Sequence, residues 1–585
     1  ASGNGNNWTS YNLTQSDFMV DSPTNNFCTW NPLDSYLTPV LSEGNLKFQM
    51  NNARCRGTIA SQSDGKIYFE VYNPNLVSNT NVHHMGLGSI GLDINNASNM
   101  ETAAGGGAVV FTYANANGRN IYARQNGSNV AQVALPNQFA AGDIIAFASD
   151  SSTGKVWMSQ NNSWLKANGS FDGTNALSSS NYLFQLATGH ELAPLTMPLS
   201  STPSTIGVLN CGQDSSFAGA KTPQGNQDAN SVGDFYYAVP SGFLALCTKS
   251  LDTPTVIPSE HFNTVTWTGN GSARSITTGF DTDFVWTKAR NQTYDHNLFD
   301  SVRGALKKIS SNSSNAESSM TNSVTSFDTD GFTLGDTAQV NLNNGTFVAW
   351  NWKAGGNAVS NTNGSITSSV SANAAAGFSI VSYTGTGSNA TIGHGLSQAP
   401  SLIFLKPRDN ANSWVTYDAT SGATNYMALQ TTQATSANSS RWNNTTPTST
   451  VFSIGTHVSP NTNGDAVIAY CFNSVDGYSK VGSYTGNGSA DGPFVHCGFK
   501  PALVIVKNSS TTGNWRMYDS DRAGYNSQNN TLYADGSYAE DATADRIDLL
   551  SNGFKIRSAG TNNASGVTVI FLAFAENPFK HTNAR

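Results

Sequence analysis

Short apolar or alternating segments, separated by turn residues, run along almost the whole chain. Lys66–Tyr72 alternates, 144–148 is apolar, and 567–575 is apolar enough for a strand that is buried on both faces. Such runs between Gly, Asn, Asp or Pro are typical of β-strands joined by tight turns. Helical periodicity is nearly absent, and only 300–309 and 539–550 are predicted as short helices. The pattern predicts an all-β fold.

One phrase occurs three times in the second half of the chain. A strand-like segment leads into Thr-Gly-x-Gly-Ser at 268–272, 384–388 and 485–489. Each copy continues with an apolar strand ending in Lys and with an aromatic-Asp pair before a glycine. The matched residues are Lys288, Lys406 and Lys507, then Asp300, Asp418 and Asp519, then Gly304, Gly422 and Gly524. The period, on the order of a hundred residues, is too long for a solenoid unit and fits tandem small domains.

The repeat and the composition together place the domain boundaries. We predict an N-terminal extension (1–63) that packs on the first sandwich (64–251). A first β-sandwich-like module (252–355), a linker (356–375) and two further modules (376–475 and 476–585) follow. The linker is rich in Ser, Asn, Thr and Ala, although 366–370 has the pattern of an added edge strand. Copies 2 and 3 are expected to dock rigidly end to end, with copy 1 at a different angle.

The region 64–251 resembles a SPRY domain, which is a concanavalin-like β-sandwich. The resemblance is carried by Gly-Lys-Ile-Tyr-Phe-Glu-Val at 65–71 and by the segments 142–147, 154–164 and 239–247. It implies a hairpin with its turn at 150–154, whose strands bury Phe147 and Trp157.

The two ends of the chain and 478–494 are similar to large structural proteins of tailed phages, especially marine ones. The matching terminal stretches are 2–9, 21–27 and 575–585. The resemblance implies a fibre or appendage component that is located on the virion or outside the cell. Its partners would be other virion proteins and a glycan or protein on the host surface. By analogy with phage fibres, we expect a homo-oligomer, with a trimer as the guess.

The charge balance narrows the function classes. Of the 585 residues, 12% are charged and the net charge is −8, with no basic run. A phosphate-tracking nucleic-acid groove is therefore not expected. No apolar stretch reaches the roughly 20 residues of a membrane helix, so membrane insertion is not expected either. The six cysteines are widely spaced; a bond between Cys471 and Cys497 is conceivable, but buried free thiols fit each position better.

Motifs for cofactors and metals fail on their context. Gly86–Gly91 has the letters GxGxxG but leads into another strand instead of a helix. A calcium loop starting at Asp328 would need a Glu at its twelfth position, which is Gln339. His83 and His84 are adjacent and would point to opposite faces of a strand, and His190 has only Glu191 beside it. We predict no metal site and no cofactor.

The repeated aromatic-Asp pairs have two interpretations. In the functional one, each module binds a sugar, with the carboxylate and Trp414 or Trp515 holding its hydroxyls and its face. In the structural one, the Asp caps the turn that follows and its aromatic neighbour fills the core. We favour the structural one, because residues kept across copies must first support the shared fold.

Binding loops in the first sandwich are a further hypothesis. We predict contacts from two loops rich in Asn and Gly or ending in Trp, with these residues: Tyr113, Asn115, Asn117, Arg119, Asn161, Asn162 and Trp164. Trp164 alone would more often belong to a core.

The sequence favours adhesion over catalysis. There is no G-x-S-x-G elbow and no reactive Cys-His pair, and the sparse acidic residues have turn-like neighbours. We expect a non-enzymatic fibre protein that attaches by many weak contacts. The alternatives are a purely structural capsid-decoration or shaft protein, and a bacterial surface or secreted glycan-binding adhesin.

Overall fold

The computed structural model describes residues 25–49, 53–73, 85–94, 103, 107–115, 118–136, 139–172, 177, 180–196, 205–523, 525–543 and 546–579. The described residues divide into two compact units, with the boundary at Asp252. Both are built of β-strands, which confirms the predicted all-β class.

The first unit contains a seven-stranded antiparallel sheet with the order β1-β4-β14-β6-β7-β8-β9. Its strands are β1 (Trp30–Tyr36), β4 (Arg54–Gly57), β6 (Met85–Ser89), β7 (Ala108–Asn115), β8 (Gly118–Gln125), β9 (Ser128–Ala134) and β14 (Leu192–Thr196). The GxGxxG letters begin inside β6, as predicted for a glycine-rich strand.

A second sheet of the first unit has nine strands in the order β12-β11-β10-β5-β15-β3-β2, with β13 beside β11 and β16 beside β5. They are β2 (Val40–Ser42), β3 (Lys47–Gln49), β5 (Lys66–Tyr72), β10 (Ile144–Asp150), β11 (Lys155–Gln160), β12 (Ser163–Trp164), β13 (Phe184–Gln185), β15 (Thr205–Asn210) and β16 (Leu244–Ala245).

The predicted hairpin of the first unit is confirmed. β10 pairs with β11 from Asp150 opposite Lys155, and Phe147 and Trp157 are both buried. Their register places them on opposite faces, because Phe147 lies opposite Met158 and Ala148 lies opposite Trp157. Phe147 stacks on Phe69, whereas Trp157 contacts Phe243 edge-on. The sheet is thus packed on both of its faces.

The second unit contains the three copies, and each has the same main sheet. The first strand of a copy pairs with its closing strand, then come the second and third strands, in the orders β17-β25-β19-β20, β28-β35-β30-β31 and β36-β43-β38-β39. These strands are β17 (Phe262–Thr268), β19 (Phe284–Ala289), β20 (Asn297–Asp300), β25 (Thr346–Trp352), β28 (Phe378–Thr384), β30 (Leu402–Pro407), β31 (Val415–Asp418), β35 (Ala466–Phe472), β36 (Ser479–Thr485), β38 (Phe499–Asn508), β39 (Arg516–Asp519) and β43 (Thr568–Pro578).

Smaller strands complete each copy. They are β18 (Arg274–Thr277), β21 (Lys307–Lys308), β22 (Ser318–Ser319), β23 (Val324–Asp328), β24 (Gly331–Leu334), β26 (Val359–Asn361), β27 (Ser368–Asn373), β29 (Ala390–Gly393), β32 (Asn425–Tyr426), β33 (Ser436–Ala437), β34 (Val451–Ile454), β37 (Phe494–His496), β40 (Leu532–Tyr533), β41 (Ile547–Leu550) and β42 (Gly553–Ile556). The linker forms β26 and β27, and β27 extends the main sheet of copy 2.

Helices are short throughout the described residues. The α-helices are Ala338–Asn341, Ser439–Trp442, Val458–Asn461 and Ser520–Ala523, and 3-10 turns lie at Thr248–Ser250, Pro258–Glu260 and Thr561–Asn563. The helices predicted at 300–309 and 539–550 are wrong. Residues 301–303 form a turn after β20, and the latter segment ends in β41.

The three copies share one hydrophobic core. The closing strand of each copy contributes alternate side chains to it, such as Trp350, Tyr470 and Phe574. The side chains between them point into a separate core of their own copy, for example Ala349 and Phe571. A strand with period two can serve two cores because successive side chains face opposite sides. This explains why 567–575 is apolar without interruption.

The shared core corrects the expected end-to-end arrangement. Thirty-two buried residues from all three copies pack in one cluster, so copy 1 does not sit apart from the other two.

All six cysteines are buried, and none of them forms a disulfide bond.

Candidate functional site

The Thr-Gly-x-Gly-Ser phrase forms the same loop in each copy, and a buried asparagine holds it. The side-chain oxygens of Asn341, Asn461 and Asn563 accept hydrogen bonds from the backbone N–H groups of Asn270, Thr386 and Asn487, at 3.1, 2.7 and 2.9 Å. Their side-chain nitrogens donate to the carbonyls of Ser272, Ser388 and Ser489, at 2.6, 2.6 and 2.7 Å. We call these three residues the clamp asparagines.

Each of the two glycines in the phrase is required for a different physical reason. A Cβ at the first one would lie 2.1 Å from the carbonyl oxygen of Leu342 in copy 1 and 2.3 Å from that of Thr462 in copy 2. The second has a positive φ, +66° at Gly271 and +74° at Gly387, which glycine adopts at no steric cost. The loop conformation is therefore fixed by its sequence.

The tips of these loops are exposed and carry mostly uncharged polar groups. Residues 270–273, 386–389 and 488–491 are exposed, and among them Asp491 is the one charged side chain. Asp491 contacts Lys555 and Arg557 in copy 3, at 3.0 and 3.5 Å. Rigid loops with amide and hydroxyl groups can exchange hydrogen bonds with a sugar or a peptide at little ordering cost.

The repeated lysines are buried, and their ammonium groups bind backbone carbonyls. Lys288 donates to Ala289 and Gln292, Lys406 to Pro407 and Asn412, and Lys507 to Gly513, all between 2.6 and 3.1 Å. Burial lowers the pKa of each lysine to about 8. Through these hydrogen bonds, each ammonium group connects the end of its strand to the following turn.

The repeated aspartates cap the turn that follows them. Asp300, Asp418 and Asp519 each accept a hydrogen bond from the backbone N–H three residues later, at 2.8, 2.8 and 3.0 Å. Their aromatic neighbours Phe299, Tyr417 and Tyr518 are buried. This is the geometry of the structural interpretation.

The tryptophans proposed as sugar contacts lie between copies. Trp414 and Trp515 are buried, and their indole N–H groups donate to the carbonyls of Ser310 and Ala428, each in the preceding copy. Trp164 is also buried, 2% exposed, in the first unit. This placement corrects the prediction that these three rings contact a ligand, because no ligand reaches them without displacing core residues.

The other predicted binding residues belong to two loops of the first unit. Tyr113, Asn115 and Arg119 lie on β7 and β8 at the end of a hairpin, and their side chains, like Asn117 itself, fall outside the described residues. Asn161 and Asn162 form the turn after β11, both with positive φ. Asn161 donates to Asp143 at 2.7 Å and accepts from the N–H of Ile144, so it holds its own turn.

The three copies contact one another in a closed ring. We call each contact region a seam and name it by the two copies that it joins. At the 1–2 seam, Arg408 forms a two-pronged ion pair with Glu317, at 2.9 and 3.0 Å. At the 1–3 seam, Arg290 does the same with Glu540, at 3.0 Å for both bonds. The backbone N–H groups of Glu317 and Glu540 also donate to the carbonyls of Arg408 and Arg290. At the 2–3 seam the N–H of Thr435 donates to the carbonyl of Ser509 in the same way, but no ion pair joins the described residues there.

Two of the seams also bury a second arginine. Arg303 contacts Asp300 and Glu317, and the hydroxyl of Tyr470 donates to Asp300 at 2.7 Å. In the same way Arg522 contacts Asp519 and Glu540, and the indole N–H of Trp350 donates to Asp519 at 3.0 Å. Burial opposes ionisation of Glu317, but the bonds and charges of Arg408 and Arg303 prevail and lower its pKa. These are charge-assisted, nearly dry networks.

The 2–3 seam lacks both elements of that network. Copy 2 has Ser421 at the position of Arg303, and copy 3 has Leu572 at the position of Trp350 and Tyr470. One oxygen of Asp418 has no hydrogen-bond partner among the described residues although the residue is 2% exposed. Burial raises the pKa of Asp418, and the N–H of Ser421 only partly offsets this.

Sequence reasoning missed the clamp asparagines and the buried arginines. A signal for the clamp was present, because each clamp asparagine stands five residues before the first residue of its closing strand (Thr346, Ala466 and Thr568). Arg303 and Arg522 do not stand out as a repeated residue, because copy 2 carries Ser421 at the equivalent position.

Metal chemistry finds no support among the described residues. No group of three His, Cys, Asp or Glu side chains in that part of the chain is placed to hold an ion. Asp328 instead accepts hydrogen bonds from Ser326 and Thr333 at the turn between β23 and β24. His190 lies near Ser89, whereas His83 and His84 lie outside the described residues. Across the described ranges, no helix is long and apolar enough to cross a membrane.

Comparison with known proteins gives one assignment. No curated protein matches the sequence. Among solved structures, a stonustoxin structure matches at 12% identity over 31% of this chain and 28% of that chain, with a TM-score of 0.21, which is too low to carry an argument. A family model described as a domain of unknown function, DUF7483, matches residues 257–578 as one domain, and this span contains the main-sheet strands of all three copies. The chain therefore belongs to the DUF7483 family.

Proposed function

We propose that this chain is a non-enzymatic attachment protein of a tailed-phage fibre or appendage, located on the virion. It would bind a glycan or protein of the host surface by several weak contacts, with its first unit as a SPRY-like sandwich. The observation that carries the proposal is the set of three equivalent exposed loops on one ring, each fixed by a clamp asparagine.

The ring favours multivalent binding over a single deep site. Three similar loops on one rigid body raise the effective concentration of the second and third contact once the first has formed. Their mostly uncharged tips suit hydroxyl-rich or amide-rich partners, and their rigidity limits the entropy lost on binding. A homotrimer, which we propose by analogy with phage fibres, would multiply the same contacts.

The test is binding of the full chain to a glycan array and to host cells. Glu in place of Ser272, Ser388 or Ser489 adds bulk and charge at an exposed tip without changing the clamp asparagines. We expect each single substitution to weaken binding a few-fold and the triple variant to weaken it by at least the product of the three effects. Thr325→Glu, at the exposed position of β23 in copy 1, is the matched control.

Three other results would each contradict a part of this proposal. If the triple variant binds like the unchanged chain, the loops do not carry attachment. If the chain binds no host component but attaches stoichiometrically to capsid or tail proteins, it is a structural component instead. Degradation of a host polysaccharide into smaller fragments would contradict the non-enzymatic proposal.

A further inference from the structure

The first strand of each copy has one edge that does not pair with the closing strand, and the three copies treat this edge differently. In copy 2, β27 pairs with β28 over five positions, from Ser369 opposite Ser382 to Asn373 opposite Phe378. Just before β27, the chain also contacts β29, because the N–H of Ile366 donates to the carbonyl of Thr391 at 3.1 Å. Residues 365–373 therefore fill the gap between β28 and β29.

In copy 3, the preceding residues cover the equivalent edge. Val475 and Ser479 exchange two backbone hydrogen bonds, at 3.0 and 2.9 Å. The hydroxyl of Ser474 accepts from the N–H of Val481 at 3.0 Å and donates to its carbonyl at 3.4 Å. A short turn thus covers the edge of β36 at Ser479 and Val481.

In copy 1, the same gap is a groove. It lies between β17 and β18, is lined by 264–267, 274–277 and Asp521, and has a volume of about 470 Å³. β17 ends its sheet and pairs only with β25 among the described strands. Thr264 lines this groove and is 4% exposed, and its buried hydroxyl has no hydrogen-bond partner among the described residues.

The backbone groups that face the groove follow from the ladder. Lys353 donates to the carbonyl of His261, and Gly269 donates to that of Gly345, so odd-numbered residues of β17 bond to β25. In an antiparallel ladder the alternate residues turn their N–H and C=O groups to the other edge. Phe262, Thr264 and Thr266 therefore present theirs to the open edge of β17, at the positions where Phe378, Ile380 and Ser382 meet β27. Of these three residues, Thr264 and Thr266 line the groove.

We propose that the groove of copy 1 binds an extended, uncharged segment of a partner protein, which adds a strand to β17. The occupant is identified by the strand that fills the equivalent gap in copy 2, whose residues 364–373 read Gly-Ser-Ile-Thr-Ser-Ser-Val-Ser-Ala-Asn. Arg274 and Asp521 give the groove one charge of each sign, so a neutral segment fits it. Main-chain hydrogen bonds would supply affinity, and the alternate side chains would supply specificity.

The test uses a synthetic peptide with the sequence of residues 364–373, blocked at both ends, and the full chain. We expect saturable binding in a fluorescence titration and slower hydrogen exchange of the Thr264 and Thr266 amides in the bound state. Thr266→Pro removes one groove-facing N–H without touching the ladder to β25, and it should weaken binding at least tenfold. Thr266→Ala keeps that N–H and should bind within about twofold of the unchanged chain.

A second variant separates the groove from a general effect of proline. Ser483→Pro makes the same change at the equivalent position of copy 3 and should leave peptide affinity unchanged. Absence of saturable binding, or equal affinity of Thr266→Pro and the unchanged chain, overturns the proposal. If the chain self-associates and Thr266→Pro makes it monomeric, the occupant is a second copy, and the claim of a partner protein is overturned.

Discussion

The 1–2 seam and the 2–3 seam join the same surfaces of related copies, yet they are held by different interactions. At the 1–2 seam, Asp300 receives a buried arginine and a tyrosine hydroxyl. At the 2–3 seam, the equivalent Asp418 receives neither, because Ser421 and Leu572 occupy those positions. Apolar packing and backbone hydrogen bonds are common to both seams, so the ion network is an addition to the repeat and is not required for it.

Chain connectivity offers a physical reason for this difference. Copies 2 and 3 are joined by the few residues between β35 and β36, whereas the 1–3 seam joins copies that are far apart in sequence. A short connection keeps two surfaces at high effective concentration, so the seam between them needs less intrinsic affinity. We infer that the networks of Arg303 and Arg522 matter most where the chain gives least help.

The largest expected effect comes from removing a buried arginine at the 1–2 seam. Arg303→Met leaves Asp300 buried without its charge partner and removes one of the two arginines that contact Glu317, which should lower the free energy of unfolding by about 3–5 kcal/mol. Urea unfolding of residues 253–579 measures this. Ser421→Ala is the matched change at the 2–3 seam and should lower that free energy by less than about 1 kcal/mol. Equal losses for both variants would remove the distinction between the seams.

A smaller effect is expected at the same seam from the tyrosine hydroxyl. Tyr470→Phe removes the donor to Asp300 and should lower the free energy of unfolding by about 1–2 kcal/mol. The loss should disappear in an Asp300→Ala background, which lacks the acceptor, if the hydroxyl acts through that carboxylate. Additive losses in the double-mutant cycle would contradict this coupling.

The smallest expected effect has the opposite sign and belongs to the 2–3 seam. Asp418→Asn removes a buried carboxylate without a charge partner and should raise the free energy of unfolding at pH 7 by about 1 kcal/mol. Burial raises the folded-state pKa of Asp418. Its neutral form therefore contributes stability fully below the unfolded-state pKa, and this contribution is lost as the pH rises through the folded-state pKa.

The pH dependence provides the check on that assignment. Because the protonated carboxyl of Asp418 and the amide that replaces it are both neutral, the gain from Asp418→Asn should shrink as the pH falls toward the ordinary aspartate range. Unfolding midpoints measured from about pH 7 down to about pH 4 would show this. A gain that does not change with pH would mean that Asp418 has the same pKa in the folded and the unfolded protein, which would contradict the assignment.

The sequence predicted local structure better than assembly. The hairpin is marked by its turn at 150–154, and the buried strand 567–575 is marked by its uninterrupted apolar run. Both signals act over a few positions. The end-to-end arrangement was wrong because strands buried on two faces look alike whether the second face meets the same copy or another one. Trp414 and Trp515 illustrate this, since an aromatic position that repeats between copies fits a sugar site and an interface equally well.

The candidate site was only partly visible in the sequence for a related reason. The loops 268–272, 384–388 and 485–489 were found because the glycines repeat. The clamp asparagines repeat too, but Asn is so common in this chain that their fixed spacing does not stand out. The groove of copy 1 could not be predicted, because it depends on which linker lies next to which strand edge.

Solution scattering tests the central claim, which is that the three copies form one closed body around a common core. For residues 253–579, a single compact body of this length should have a radius of gyration of about 20 Å. Three compact copies placed end to end would give about 30 Å. A value near 20 Å supports the shared core, and a value near 30 Å would contradict it.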